Sequence, residues 1–172
     1  MLYLAKWCRK EPRKTLGEGE DHYKARLIVF HYLRAIYCSS FEYRVKDVWS
    51  HRFRPRADLA VVKLPEIITL IWVEVQDTKL SRDQWDEKIE WASRMCENLL
   101  VVITPNLVQD LSMIKDLLNS YKKEHQLFVA DPKTDKLFRL TNRGEKMQIE
   151  IDESGKTLEK KIKNRLDNFL RS

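Results

Sequence analysis

The 172-residue sequence predicts an α/β fold, with a mixed central sheet and helices on both of its faces. Apolar residues recur at helical spacing in residues 18–37 and 81–98, which predicts two amphipathic helices. Short apolar runs lie between and after these segments, and one of them, LLVVIT, is apolar throughout, as in a strand buried on both faces. Helices and strands therefore alternate along the chain, which is typical of α/β proteins.

The first helix is predicted over residues 18–37. Its apolar stripe consists of residues at helical spacing, namely Tyr23, Leu27, Phe30 and Leu33, with Ala25, Ile28, Val29 and Ile36 widening it. Its first turn is acidic, as the helix dipole favours, with Glu18, Glu20 and Asp21. We expect the striped face to pack against the sheet.

Three strands should follow this helix. CSSFEYRVKDVW alternates in the manner of a strand, and DLAVVKL and EIITLIWVEV are two more, joined through Leu64-Pro65. Ser81 is a natural N-cap for the second helix, and LLVVIT supplies the next strand. Thr104-Pro105 is a cap and first-turn signal, which predicts a third helix that begins there and carries apolar residues to Tyr121.

The remaining chain is predicted to add strands and a last helix. QLFVADPKTDKLFRLT reads as two strands around a polar turn, KMQIEID as another strand, and TLEKKIKNRLDNFLRS as an amphipathic helix. The order is α, β, β, β, α, β, α, β, then a hairpin and a helix. We expect one domain over residues 1–172, with a basic arm (1–17), a core (18–104) and C-terminal helices and hairpin (105–172).

Composition and charge narrow the classes of function. No apolar run is long enough to cross a bilayer, and the N-terminal residues are too charged for a signal peptide, so we expect an intracellular, cytoplasmic protein without a membrane partner. Residues 1–56 carry 13 Lys and Arg against 6 Asp and Glu, whereas the remaining 116 residues carry 19 against 20. This local excess suits a polyanionic partner such as DNA, although a basic surface that aids solubility explains it equally well.

Acidic residues occupy unusual places in the two apolar strands. In a strand, Trp72, Glu74 and Gln76 lie on one face, while Val73 and Val75 lie on the other. If the strands pair as a hairpin, Asp58 lies beside Glu74, and two carboxylates converge. Each acid alone is more simply explained as a solvated strand-end group, or as a partner of Arg56.

Converging carboxylates favour a divalent cation. Two buried like charges resist ionisation, and a cation between them removes the conflict. Oxygen ligands suit Mg²⁺, and an Asp–Glu metal site with a third polar group is typical of metal-assisted phosphodiester hydrolysis. The pattern therefore predicts a Mg²⁺ site at Asp58 and Glu74.

The arrangement resembles the PD-(D/E)XK nuclease superfamily, which includes restriction endonucleases, archaeal Holliday junction resolvases and small nucleases of archaeal viruses. The resemblance covers residues 18–104 and rests on element order, on Asp58, and on the spacing of Glu74 and Gln76. It implies a restriction-endonuclease-like αβββαβ core and cleavage of DNA, duplex, single-stranded or branched, with Mg²⁺ or Mn²⁺. The chain departs from the family pattern at two positions: Ala57 replaces the motif proline, and Gln76 replaces the motif lysine.

The resemblance also assigns roles to individual residues. Asp58 and Glu74 match the metal-binding acids, and Gln76 would orient water in place of the lysine. The helix acid is Glu20 or Glu18. We prefer Glu20 as a further metal ligand, because it shares the face of Tyr23 and Leu27 and should therefore point toward the sheet. Lys79 and Lys88 are candidates for the missing positive charge, and we prefer Lys88 as a catalytic residue. His22 is another first-turn candidate, though a solvated surface histidine is the commoner case.

Basic residues outside the motif are predicted to bind the DNA backbone. They are Arg52, Arg54 and Arg56 before Asp58, Lys79 after the hairpin, and Lys10, Arg13 and Lys14 in the arm. Symmetric cutting of two strands would call for a homodimer. Two alternatives stay open: a DNA-binding protein of the same fold that does not cleave, and an interaction protein that binds no nucleic acid.

Overall fold

The computed structural model describes residues 11–37, 43–47, 57–64, 68–96, 98–121, 124–140 and 146–149. These residues form seven strands, three α-helices and one 3-10 segment. In chain order they are α1 (Glu20–Tyr37), β1 (Tyr43–Asp47), β2 (Leu59–Lys63), β3 (Ile68–Gln76), α2 (Arg82–Met95), β4 (Asn98–Ile103), the 3-10 segment (Pro105–Asp110), α3 (Leu111–Ser120), β5 (Glu124–Asp131), β6 (Lys136–Leu140) and β7 (Lys146–Ile149).

The strands form one mixed sheet in sequence order, from β1 to β7. β3, β4 and β5 are parallel, and the other neighbouring pairs are antiparallel. The central strands are the most apolar because helices cover both faces of the sheet there. The predicted mixed α/β class is confirmed, and the order α, β, β, β, α, β holds from α1 to β4.

The alternation of β3 separates the two cores. Val73 and Val75 belong to the core beneath α1. Trp72 belongs to the opposite core, where it packs with Trp85 and Ile89 of α2. Each helix layer therefore faces one set of β3 side chains, and the predicted assignment of Trp72 and the two valines to opposite faces is confirmed.

The buried face of α1 contains six of the eight predicted apolar positions, including Phe30 and Leu33. Ala25 and Val29 are fully buried, whereas Tyr23 and Leu27 are only partly buried. The face that packs on the sheet is thus rotated away from the Tyr23–Leu27 side. The rotation leaves Glu20 exposed, and Glu18, which lies in the turn before the helix, is the buried acid.

The two predicted helices that follow β3 and β4 are found, with one change. Ser81 caps α2 in a capping box: its hydroxyl accepts from Gln84 N, and the Gln84 side chain accepts from Ser81 N. The α-helix predicted from Thr104 begins only at Leu111. The Thr104 side chain makes no capping hydrogen bond, and Leu107 N donates to Thr104 O, so the first turns wind as a 3-10 helix.

Some predictions fall outside the described residues. These are the basic residues Lys10, Arg52, Arg54 and Arg56, and the last helix over residues 157–172. Among the helices that the structure does describe, none has the length and apolarity needed to traverse a bilayer.

We predict that Ser81→Ala lowers the free energy of unfolding by about 1 kcal/mol, because the substitution removes the oxygen that accepts from Gln84 N. Urea unfolding followed by circular dichroism would measure the change. Ser112→Ala is the matched control, since Ser112 is exposed within α3 and alanine favours a helix there. Equal unfolding of wild type and Ser81→Ala would contradict a stabilising role for the capping box.

Candidate active site

Asp58 is fixed at the end of the β2–β3 hairpin. Its backbone N–H donates to Val73 O at 2.9 Å, which extends the strand pairing by one residue and sets Asp58 opposite Glu74. Its Oδ2 accepts from Val75 N at 2.6 Å. The side chain is 1% exposed. The two acids therefore lie opposite each other at one end of the hairpin, with the Asp58 side chain near His22 of α1 and the Glu74 side chain paired with Lys88 of α2.

Glu74 is a buried carboxylate between two donors. Trp72 Nε1 donates to its Oε1, and Lys88 Nζ lies 2.9 Å from its Oε2. Burial raises the pKa of Glu74 to about 7; the Lys88 charge opposes this shift, and the Asp58 charge adds to it. The group therefore changes its protonation state near neutral pH, which is typical of functional sites.

Lys88 links α2 to the hairpin. Its ammonium donates to Gln76 Oε1 at 3.0 Å as well as pairing with Glu74. Burial alone would lower the pKa of Lys88, but the charges of Glu74 and Asp58 raise it, so the group stays cationic. Lys88 lies one turn after Trp85, whose burial turns this face of α2 toward β3.

Gln76 is held at both ends of its amide. Oε1 accepts from Lys88, and Nε2 donates to Thr78 O and Thr78 Oγ1, both at 2.9 Å. The amide therefore bridges the ammonium and the turn that follows β3. The structure thus brings four of the predicted site residues together: Asp58, Glu74, Gln76 and Lys88.

A second charged cluster joins the site from α1. Glu18 is buried, and its carboxylate accepts from Arg26 Nε at 3.0 Å and from Arg26 Nη2 at 2.9 Å. Its Oε1 also lies 2.8 Å from His22 Nδ1. Burial would raise the pKa of Glu18, but the hydrogen bonds from Arg26, Thr15 and His22 lower it below its usual value. Glu18 is therefore ionised.

His22 connects this cluster to Asp58. Its Nε2 lies 3.1 Å from Val75 O and 3.5 Å from Asp58 Oδ1. Because Glu18 and Val75 O both act as acceptors, both ring nitrogens carry hydrogen, which is the imidazolium form. Burial would lower the pKa of His22, but the Asp58 and Glu18 carboxylates raise it above its usual value.

The prediction that Glu20 points toward the sheet is wrong. Its side chain is 54% exposed, and its Oε2 lies 2.6 Å from Lys14 Nζ. The rotation of α1 explains the error, because Glu20 lies on the partly exposed side of the helix with Tyr23. The acid that reaches the core is Glu18, the alternative left open by the sequence.

The basic residues predicted to bind DNA lie on the surface where they are described. Arg13, Lys14 and Lys79 are exposed. Lys14 pairs with Glu20, and Lys79 follows the turn after β3, close in sequence to Gln76. None of the three contacts the Asp58 or Glu74 carboxylate, so the candidate for the missing positive charge in the site is Lys88 and not Lys79.

The carboxylate oxygens of Asp58 and Glu74 are the atoms at this site that could bind Mg²⁺. Asp58 Oδ1 is buried and 3.5 Å from His22 Nε2, too long for an ordinary hydrogen bond, and it accepts none from the other described residues. Together with Glu74 it offers two carboxylates, and Mg²⁺ usually takes one or two carboxylates and keeps several waters. No larger group, with three or more His, Cys, Asp or Glu side chains placed around one point, occurs in the described parts of the chain.

Comparison with known proteins bears on the fold alone. No protein-family model matches the chain, and no curated protein matches it either. The YaeQ protein from Pseudomonas syringae has a similar structure, with a TM-score of 0.50 and 13% identity over 80% of this chain and 81% of that chain. The YaeQ protein from Xanthomonas axonopodis pv. citri gives a TM-score of 0.36 and 10% identity, over 78% of this chain and 82% of that one.

Two residues of the cluster were missed or undervalued from sequence. Arg26 was not singled out, and His22 was expected to be a solvated surface group, yet both are buried. A signal was present, because Glu18, His22 and Arg26 recur every four residues and so share one side of a helix. An acid, a histidine and an arginine at that spacing can satisfy one another when buried.

We predict that the stability of the protein decreases as the pH rises from 4.5 toward 7. The folded pKa of Glu74 is raised to about 7 from the ordinary 4.5, so its contribution is complete below pH 4.5 and is lost as it ionises. One such group changes the free energy of unfolding by at most about 1.4 kcal/mol per pH unit. His22, with a raised pKa, adds a further decrease above pH 6.5.

Urea unfolding of Glu74→Gln across pH 4.5 to 8 would test this assignment. We expect a flatter profile below pH 7, while the decrease caused by His22 remains at higher pH. Glu90→Gln is the control, because Glu90 is exposed and pairs with Arg94 at the surface of α2. Identical pH profiles for Glu74→Gln and wild type would show that Glu74 does not titrate in this range.

Proposed function

We propose that this chain is a metal-dependent nuclease of the PD-(D/E)XK type, which hydrolyses DNA phosphodiester bonds. One observation carries the proposal: Lys88 of α2 contacts both Glu74 and Gln76, opposite Asp58. The motif lysine that the sequence lacks at position 76 is thereby supplied in space by the next helix. Two acids, an amide and a lysine at one end of a hairpin form a set suited to phosphodiester hydrolysis.

Asp58 and Glu74 are the residues that would hold Mg²⁺ or Mn²⁺. The buried Oδ1 of Asp58 supports this assignment, since no hydrogen bond from the described residues occupies it. A bound divalent cation would supply Lewis acidity and lower the pKa of a bound water. Glu20 has no part in this site, because its exposed carboxylate pairs with Lys14.

Lys88 is the residue that would stabilise negative charge on the scissile phosphate. Its side chain is 27% exposed, against 7% for Glu74, so Lys88 is the member of this pair that is closer to solvent. An ammonium held in place before the reaction costs little reorganisation when charge develops. The raised pKa of Lys88, produced by Glu74 and Asp58 against the effect of burial, keeps it charged for this purpose.

Gln76 would then position Lys88 and, through its amide, water. Exposed Lys79, Arg13 and Lys14 would bind the phosphate backbone on either side of the site. The enzyme would act inside the cell on duplex, single-stranded or branched DNA. A homodimer would be needed where both strands are cut symmetrically.

A second candidate is a DNA-binding protein of the same fold that does not cleave. The observation in its favour is that Gln76 already uses both ends of its amide, on Lys88 and on Thr78. An amide engaged in this way must release a partner before it can orient water. The two candidates differ in catalysis and agree on binding.

We predict metal-dependent cleavage of linear duplex, single-stranded or four-way-junction DNA with Mg²⁺ or Mn²⁺, and none with EDTA. Glu74→Gln should reduce the cleavage rate at least about 100-fold, because it removes the carboxylate charge while keeping the shape of the side chain. Glu90→Gln, on the exposed side of α2, should cleave as wild type does.

Binding measured beside cleavage separates the alternatives. DNA that is bound but never cut would favour the non-cleaving protein. A chain that binds no DNA, and whose thermal unfolding does not shift with Mg²⁺, would contradict both, since a ligand of the folded state must stabilise it.

We further predict that the lysine can be moved from α2 to the motif position. Lys88→Ala should lower the cleavage rate about 100-fold, because it removes the charge that faces the phosphate. The double variant Lys88→Ala with Gln76→Lys should recover at least about tenfold of that loss. Wild-type cleavage by Lys88→Ala, or no recovery in a folded double variant, would show that Lys88 does not replace the motif lysine.

A further inference from the structure

A loop beside the site carries an apolar side chain in solvent. In the Leu16 loop, defined as residues 12–18, Leu16 is fully exposed, with a relative exposure of 106%. A single exposed leucine is common on protein surfaces and by itself indicates nothing. Leu16 differs from such residues in two respects: hydrogen bonds hold its loop in place, and the loop lies near the candidate active site.

The Leu16 loop is held firmly in place. Glu18 N donates to Thr15 O, and Gly17 between them has a φ of 84°, as in the third position of a type II turn. Thr15 N and Oγ1 both donate to the buried Glu18 carboxylate, at 3.0 Å and 3.2 Å. Leu16 therefore stands at the tip of a turn whose ends are bonded to each other.

Two further bonds tie the loop to α1. Arg26 Nη2 donates to Arg13 O at 3.0 Å, and Tyr23 Oη donates to Pro12 O at 3.3 Å. Arg26 is fully buried and also holds Glu18. Buried polar contacts therefore hold the loop rigid, while the Leu16 side chain contacts solvent.

The loop lies at the same end of the sheet as the candidate active site. Glu18 contacts His22, which lies against Val75 O and Asp58. A methyl group added at Gly19 would come within 3.1 Å of Asp77 Oδ2, next to Gln76. Contacts therefore run without a break from the turn that carries Leu16 to the acids of the site.

The charge of the loop suits a phosphate backbone. Arg13 and Lys14 are exposed on the approach to the tip. Lys14 pairs with Glu20 at 2.6 Å, but both side chains are about half exposed, and such surface pairs contribute little stability. Lys14 can therefore exchange its carboxylate for a phosphate, which leaves an apolar tip preceded by two cations.

We propose that Leu16 inserts into the base stack of the DNA beside the scissile phosphate. This inference rests on the proposed nuclease function and names its substrate class. Rigidly held leucines are among the apolar side chains that proteins wedge between base steps. Opening a step costs least where pairing is already interrupted, so the preferred substrate is a duplex with a fork, flap or branch next to the cleaved bond.

The test uses forked DNA with 2-aminopurine, whose fluorescence rises on unstacking, at the base pair next to the fork. Binding is followed in the Glu74→Gln background so that the DNA stays intact. We expect a fluorescence rise that Leu16→Ala abolishes. Leu16→Ala should also weaken binding to forked DNA relative to single-stranded DNA by about tenfold, because it removes the apolar contact between the bases.

Met95→Ala is the matched control. Met95 is also an exposed apolar residue, with 52% exposure. It ends α2, however, and lies toward the other end of the parallel strands from Gln76. It should leave both the fluorescence rise and the affinity unchanged. Because Leu16 is fully exposed, Leu16→Ala should unfold at the same urea concentration as its parent, which excludes a folding defect.

The outcomes separate this inference from the proposed function. If the protein cuts DNA but Leu16→Ala keeps the fluorescence rise and the affinity, Leu16 does not insert into the base stack. The proposed nuclease function would then stand, and Leu16 would be free for another contact such as a protein surface. If no substrate is cut but the rise is lost only in Leu16→Ala, the wedge is supported without the nuclease. If no DNA binds, both fail.

Discussion

The burial of Glu74 in the most apolar strand of the protein is the constraint on which the rest of the site depends. A buried carboxylate loses its hydration, at an effective cost of several kcal/mol per ion. The fold compensates with Trp72 from the same strand and Lys88 from α2. Lys88 can pair with Glu74 only if α2 packs at this place on the sheet. The position of α2 and the burial of the Glu74 charge therefore depend on each other.

The same balance recurs on the other face of the sheet. Asp58 and Glu18 are buried, and His22 and Arg26 of α1 lie against them. Each helix layer thus places cationic side chains over the carboxylates at one end of the hairpin. The three acids Asp58, Glu74 and Glu18 are matched by the three bases Lys88, His22 and Arg26, so charges that would oppose folding one by one are balanced as a group.

Burying such a charged cluster costs desolvation free energy, which apolar contacts between a helix and a sheet do not. Replacing buried ion pairs with apolar residues of similar size is often neutral or stabilising, so stability alone does not account for their presence. The two apolar cores already fix α1 and α2 on opposite faces. The cluster therefore supports the chemistry proposed for this end of the sheet, where burial raises the pKa of Glu74 to about 7.

The features that were predictable from sequence follow from periodicity and pairing. The placement of Asp58 opposite Glu74 could be predicted from an antiparallel hairpin alone, and the capping role of Ser81 from its position before an amphipathic run. The positions of Glu18 and Glu20 were harder to predict, because α1 begins only at Glu20 and Glu18 lies in the turn before it, where helical periodicity does not apply. Within α1, one residue turns a side chain by about 100°, so the exposure of Glu20 depends on the rotation of the helix. The apolar stripe of α1 is wide, so several rotations fit its sequence, and contact with the sheet selects one. The Thr104 hydroxyl had the chemistry of a cap, but the chain satisfied its first turn by tighter winding.

The residue at position 76 is best understood together with Lys88. The Lys88 ammonium lies 3.0 Å from Gln76 Oε1 and 2.9 Å from Glu74 Oε2. A lysine at position 76 would bring a second cation to the same place, with one carboxylate for both, and like charges in a buried site oppose each other. Gln76 instead accepts a hydrogen bond from Lys88 through its oxygen and donates one to Thr78 through its amide N–H. It therefore holds the Lys88 ammonium in place. The E-x-Q sequence and a lysine on the following helix are therefore a consistent pair, and in the proposed nuclease Lys88 would supply the positive charge that position 76 does not carry.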